Sequence, residues 1–141
     1  MLVIPIGCMH KPISDDNLAK SFMANKSLFN NLETSYLEGR LSCSDKSDRD
    51  ICVLPDSSPI VIHLRESAQV ESVYVKRNPA GDSGIWIPVQ TYGAMSTASS
   101  TRGYVYLNHS PAATVSDTLS TDQKGSHYKP LADRWYLFTV N

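Results

Sequence analysis

The sequence predicts a mainly β protein: an antiparallel β-sandwich or barrel with one or two short helices in its N-terminal third. Three observations carry this. Beyond Leu41 the apolar residues alternate with period two in short runs. Those runs are separated by clusters of Pro, Gly, Asp, Asn and Ser. Only residues 14–39 repeat apolar side chains at three- and four-residue spacing.

In chain order, Leu2, Val3, Ile4 and Ile6 form an apolar run suited to an edge strand, because Pro5 removes one backbone donor. An apolar run of this kind invites aggregation when left uncovered, so these four residues are expected to pair with the sheet or to make an assembly contact with a neighbouring subunit. Ser14 or Asp15 can cap a helix start, and Leu18, Phe22, Phe29, Leu32 and Tyr36 supply a stripe that Asn25 interrupts. Gly39 is a suitable stop. Low helix propensity at Asn25, Ser27, Asn30, Asn31 and Ser35 leaves a helical segment and a partly extended arm both open.

The expected strands are Ile51–Leu54, Ile60–Arg65, Val70–Arg77, Ile85–Gln90, Gly103–Asn108 and Arg134–Val140, with Ala112–Val115 as a short addition inside a long loop over 109–130. Together they make one domain, residues 1–141, in which 1–42 packs on or extends from a sandwich formed by 43–141. Alternating strands of this kind must bury one face, which implies a second layer.

Thirteen Lys and Arg against fourteen Asp and Glu give a net charge of −1, and residues 1–50 are equally balanced, with six basic and seven acidic side chains. There is no basic surplus for a nucleic-acid face or a polybasic membrane anchor. No run approaches the ~18 apolar residues of a membrane span, and MLVIPIG lacks the basic leader and cleavage site of a signal peptide. Three cysteines exclude a complete disulfide framework. Cys43 and Cys52 can pair across Ser44–Ile51 in an oxidising compartment, or all three can stay reduced as small hydrophobes.

Candidate chemistry is sparse. Gly81-Asp82-Ser83-Gly84 resembles the nucleophile loop of chymotrypsin-like serine proteases, and His63 is the only sensible upstream base. Only 82 residues precede Ser83 and 58 follow it, so two barrels do not fit, and a hairpin turn accounts for the same residues. Asp45, Asp48 and Asp50 lie within one loop, but Lys46 and Arg49 interleave them and no distal glutamate completes a calcium loop. Cys8 and His10 form one loose pair, short of a zinc set, and no phosphate-binding glycine spacing is present. No catalytic residue, metal or cofactor is therefore assigned. The aromatic residues Trp86, Tyr104, Tyr106 and Trp135 are the candidate binding set: if their faces are exposed they form a platform for sugar or protein contacts, and otherwise they pack.

VESVYVKRNPAGDSGIWIPVQTYG from Val70, then RGYVYLNHS and ADRWYLFTVN, resembles the small β-sandwich virion proteins of tailed bacteriophages. The resemblance covers about half the chain. It implies a non-enzymatic structural role in capsid decoration, a fibre or a tail, with other virion or surface-assembly proteins as partners and a homo-oligomeric state. The alternatives are a secreted or cell-surface carbohydrate-binding β-sandwich that takes a glycan, and a small serine hydrolase using Ser83.

Overall fold

A computed structural model describes residues 13–77, 83–93, 99–119 and 124–141. Leu2, Val3, Ile4 and Ile6, together with Cys8, His10, Gly81 and Asp82, lie outside the described residues.

Helix α1 spans Asp15–Ala24 and α2 spans Lys26–Leu37. Ser14 caps α1 by accepting from the Asn17 N–H, and Asp15 and Asp16 sit in the first turn, where the helix dipole favours negative charge. Asn25 is the joint between the two helices. Its side-chain amide donates to the Ser21 and Ser67 carbonyls, which replaces hydrogen bonding lost at the break. Of the stripe read from the sequence, Leu18, Phe22, Phe29 and Leu32 are buried and Tyr36 is half-buried at the edge of the core.

Strand β1 is Ile51–Val53, and helix α3 follows at Pro59–Ala68. The expected strand Ile60–Arg65 is thus a helix. Its residues fit both periods, but Val61, Leu64 and Ala68 share one buried face at helical spacing. Pro59 in the first turn sets a helical φ without losing a needed donor, and Gln69 closes the helix in the left-handed region. The expected strand Val70–Arg77 shrinks to β2, Tyr74–Lys76.

Strands β3 (Gly84–Gly93), β4 (Ser99–Leu107), β5 (Ser126–Ala132) and β6 (Trp135–Val140) complete one antiparallel six-stranded sheet of order β1-β2-β3-β4-β6-β5. β5 falls inside the segment expected to be a long loop. Ala112–Val115 is not a strand, although the Val115 N–H donates to the Tyr128 carbonyl of β5.

Two side-chain clusters lie on opposite faces of this sheet. The larger joins all three helices to Ile85, Ile87, Tyr104, Tyr106, Trp135 and Leu137. The smaller contains strand residues alone: Trp86, Val105, Leu107, Tyr136 and Phe138, with Tyr74, Tyr128 and Val140 at its margin.

Pro88 lies in a central strand, where a missing donor is normally excluded. It is tolerated because β2 has already ended there and the ladder with β4 shifts register between Pro88 and Gln90. Gly103 pairs with Pro88 at this bulge, and a Cβ on Gly103 would overlap the Ile87 carbonyl oxygen and press on the Pro88 Cα and Val89 N. Both sides of that contact are backbone in a central ladder, so neither yields easily. Gly103→Ala is expected to destabilise the protein by about 2 kcal/mol or more, in the range of strained or overpacked core substitutions, measured as a lower urea midpoint.

Candidate functional site

Strand register decides the aromatic set. Trp86 pairs with Val105, whereas Tyr104 and Tyr106 pair with Ile87 and Ile85 on one side and with Leu137 and Trp135 on the other. Side chains of directly opposed residues share a face. Tyr104, Tyr106 and Trp135 therefore come together under the helices, and Trp86 points to the other side. All four are buried, at 0%, 4%, 1% and 3% exposure respectively. The platform reading is corrected on both counts: the four residues do not share a surface, and none of them is exposed.

Their polar atoms are used in packing. Tyr104 Oη donates to the Leu18 carbonyl at 2.8 Å, and Trp135 Nε1 donates to Glu33 Oε1 at 2.9 Å. Phe29 meets Tyr104 and Trp135 edge-on with ring centres 4.9 and 5.3 Å away, so the tyrosine and tryptophan anchor α1 and α2 to the sheet. Burial raises the Tyr106 phenol above its usual range, and the nearby Glu33 carboxylate adds to the shift. Burial pushes the Tyr104 phenol up to about 12, partly opposed by the Ser21 hydroxyl.

On the opposite face Trp86 stacks parallel to Tyr74 at 6.4 Å and meets Phe138 edge-on at 4.8 Å. It also reaches Tyr128 at 6.2 Å, across both intervening strands. Lys76 Nζ stands 5.2 Å from the centre of the indole ring, a cation–π contact.

The hydrolase pair is not assembled. His63 is exposed on α3 and forms no hydrogen bond or ion pair among the described residues. Ser83 precedes β3, and its carbonyl accepts from the Asn108 N–H. A triad base must hold the nucleophile within hydrogen-bond reach and be oriented by a third group, and neither condition is met around His63.

The Asp45–Asp50 loop has a structural job. Backbone groups alternate in direction along β1 and its flanks: those of Asp50 and Leu54 bond to Arg77 and Val73 beside β2, and those of Ile51 and Val53 point outward. Ser44 N–H and Ser47 Oγ donate to the Val53 carbonyl, and Val53 N–H donates to Ser47 Oγ. Asp48 N–H donates to the Ile51 carbonyl while Asp48 Oδ1 accepts from Ile51 N–H. The loop thereby caps the outer edge of β1. Cys43 and Cys52 form a disulfide with 5.1 Å between their Cα atoms, which closes the base of this loop. Among the described residues no three His, Cys, Asp or Glu side chains are placed to hold a metal ion.

Three surface recesses of about 640, 580 and 220 Å³ surround the same region. Leu54, Pro55 and Ser57 line both larger ones, and Leu41 connects the first to the smallest. Arg65, on the wall of the second, is held by Asp56 at 2.7 Å, and that guanidinium keeps the Asp56 carboxyl below its usual range.

The most concentrated buried chemistry joins distant segments. Arg102 Nη1 donates to Asp15 Oδ1 at 2.9 Å and to the Ile13 carbonyl at 2.7 Å, and Nη2 donates to the Leu119 carbonyl at 3.0 Å. Asp15 Oδ2 accepts from the Leu119 N–H at 2.9 Å and from Lys129 Nζ at 3.3 Å. Both members of the pair are buried. Arg102 Nε and the hydroxyl of its cross-strand neighbour Thr139 are buried without a hydrogen-bond partner among the described residues. The sequence singles out neither as a buried charge: Asp15 reads as a helix-start residue, and no motif marks Arg102. The only hint was that Arg102 shares the parity of Tyr104 and Tyr106.

Comparison with protein-family models, with curated proteins and with solved structures finds no match for this chain.

Two predictions follow from this geometry. Asp15→Ala leaves the Arg102 guanidinium buried and unpaired, and is expected to lower stability by about 3–5 kcal/mol. The double replacement Asp15→Leu with Arg102→Met removes both charges, and its denaturation midpoint is expected to lie above that of Asp15→Ala alone.

Tyr104 gives a pH dependence. Its phenol ionises near 10 when unfolded and about 12 when folded, so the native state favours the neutral form. The stabilisation is complete below pH 10 and is lost as pH rises from about 10 to about 12, an effect on the order of 2–3 kcal/mol. Tyr104→Phe is expected to flatten that alkaline loss of stability, read by denaturation midpoint against pH, and to remove one late-titrating tyrosinate from the ultraviolet absorbance.

Proposed function

We propose that this chain is a non-enzymatic structural or binding protein acting through protein–protein contacts. In the more specific form that its resemblance to bacteriophage virion proteins suggests, it is a homo-oligomeric capsid-decoration, fibre or tail-associated subunit. The observation that carries the non-enzymatic part is the fate of its reactive and aromatic side chains. Tyr104, Tyr106 and Trp135 fasten helices to the sheet, Trp86 fills the opposite face, the aspartate loop caps a strand edge, and His63 has no hydrogen-bonded partner among the described residues.

Other features support the same reading. The described large hydrophobic side chains left exposed are Met23, Leu37 and Ile62, one from each helix, so apolar contact area lies on the helical layer. A disulfide suits a protein that works in an oxidising setting such as a particle or extracellular surface. The sandwich or barrel form belongs to the proposal: the helices cover one face of the sheet, and the buried strand-only cluster on the other is the surface a second layer would cover. Among the described residues no helix is long and apolar enough to cross a membrane.

The test is association. The wild-type chain is expected to sediment as an oligomer or to bind purified capsids or tails. Replacing Met23, Leu37 and Ile62 together by Gln is expected to abolish that while leaving the circular dichroism unchanged. Ser83→Ala is expected to change stability by no more than about 0.5 kcal/mol. Labelling of Ser83 by a fluorophosphonate, in a chain that stays monomeric and ignores particles, would replace this reading with the hydrolase.

A further inference from the structure

We propose that the Cys43–Cys52 disulfide is a redox latch on the outer edge of the sheet, holding closed a loop whose release offers β1 to an extended backbone segment. The outward N–H and C=O groups of Ile51 and Val53 are satisfied by Ser44, Ser47 and Asp48 alone, while the other side of the strand serves β2. The capping residues belong to a ring that the disulfide closes covalently. Without that link the cap is held by hydrogen bonds alone, the Asp48–Ile51 bond exposed and the Ser47–Val53 bonds part-buried, and each gives only a modest net gain over bonds to water. An uncapped edge strand is a template for pairing.

The two sulfurs differ in access. Cys43 is exposed, and Cys52 is 1% exposed within the main core cluster. Reduction by a dithiol therefore begins at Cys43. One reductant thiolate attacks Cys43 Sγ, the S–S bond breaks, and its electron pair leaves on Cys52 Sγ, which takes a proton. The reductant's second thiolate then attacks the mixed disulfide, releasing Cys43 as a thiolate that is protonated in turn. The reductant departs as its own disulfide, having given up two electrons and two protons. Because the leaving sulfur is buried in apolar surroundings, where a thiolate is disfavoured, the first step is slow and the latch stays shut under weakly reducing conditions.

Backbone hydrogen exchange on the full chain tests this, because the Ile51 and Val53 amides are bonded to the cap and not to β2. After treatment with dithiothreitol, both are expected to exchange about tenfold faster or more, the scale set by opening a small covalent ring. The amides of β4 and β6 should keep their protection. The double variant Cys43→Ser, Cys52→Ser is expected to show the same local pattern without reductant. Unchanged protection of Ile51 and Val53 in both experiments overturns the proposal. Faster exchange throughout β4 and β6 overturns it as well, because the disulfide would then hold the whole fold and not one edge.

Discussion

The buried pair between Arg102 and Asp15 is the contact on which the arrangement of this molecule depends. It joins the first turn of α1 to the middle of β4, and through the N–H and carbonyl of Leu119 it draws in the segment that follows β4. Lys129 adds the edge strand β5. Four stretches of chain that share no ladder are thereby fixed by one carboxylate and one guanidinium. Neither group tolerates burial alone, since an unpaired ion in a low-dielectric interior is strongly disfavoured. The requirement is mutual: α1 cannot leave the sheet without stranding Arg102, and the Leu119 backbone cannot shift without losing a donor and an acceptor to charged partners.

Around this pin the helices are held by aromatic packing. Phe22 and Phe29, at the end of α1 and the start of α2, contact Tyr104 and Trp135 of two neighbouring strands. The polar tips of those rings bind the Leu18 carbonyl and the Glu33 carboxylate, so each ring sets distance by its face and orientation by its tip. This explains why the two-helix unit has little need of strong intrinsic propensity. Its Asn- and Ser-rich sequence is weak as an isolated helix, and tertiary contacts supply what local sequence lacks.

Much of the fold was legible in the residues. The two N-terminal helices, the break at Asn25, and the strands β1, β3, β4 and β6 follow from periodicity and turn residues, which are local properties. What failed was also local in origin. Over Ile60–Leu64 a β-branched run satisfies period two and period 3.6 alike, and the decision rested on Ser58-Pro59 before it and on Ala68 beyond it. β5 was hidden because Ser126, Lys129 and Pro130 are poor strand formers, chosen for an edge and not for a centre. The face of each aromatic residue within its own strand was readable. Which faces would coincide was not, because Trp86 opposite Val105 is a property of the register between strands, and a one-residue slip would have placed it with Tyr104 and Tyr106. The Arg102–Asp15 pair spans 87 positions and leaves no local trace.

The two edges of the sheet are protected by different means. At β5, Gly125 exchanges two backbone hydrogen bonds with Asn141, so odd-numbered residues face β6 and Ser126, Tyr128 and Pro130 face outward. Pro130 thus lacks an N–H on the side where a donor would invite another strand, and the Val115 N–H occupies the Tyr128 carbonyl. At β1 the serine and aspartate loop saturates the outward groups of Ile51 and Val53. Among the described residues, the outward groups that are capped are those of Ile51 and Val53 at β1 and the Tyr128 carbonyl at β5, Pro130 offers no N–H, and the helices cover one face of the sheet. If the chain assembles as proposed, exposed side chains of the helical layer such as Met23, Leu37 and Ile62 offer its neighbours packing of shapes in place of backbone pairing. An assembly built this way can be finite and specific, whereas one built on open strand edges tends to grow.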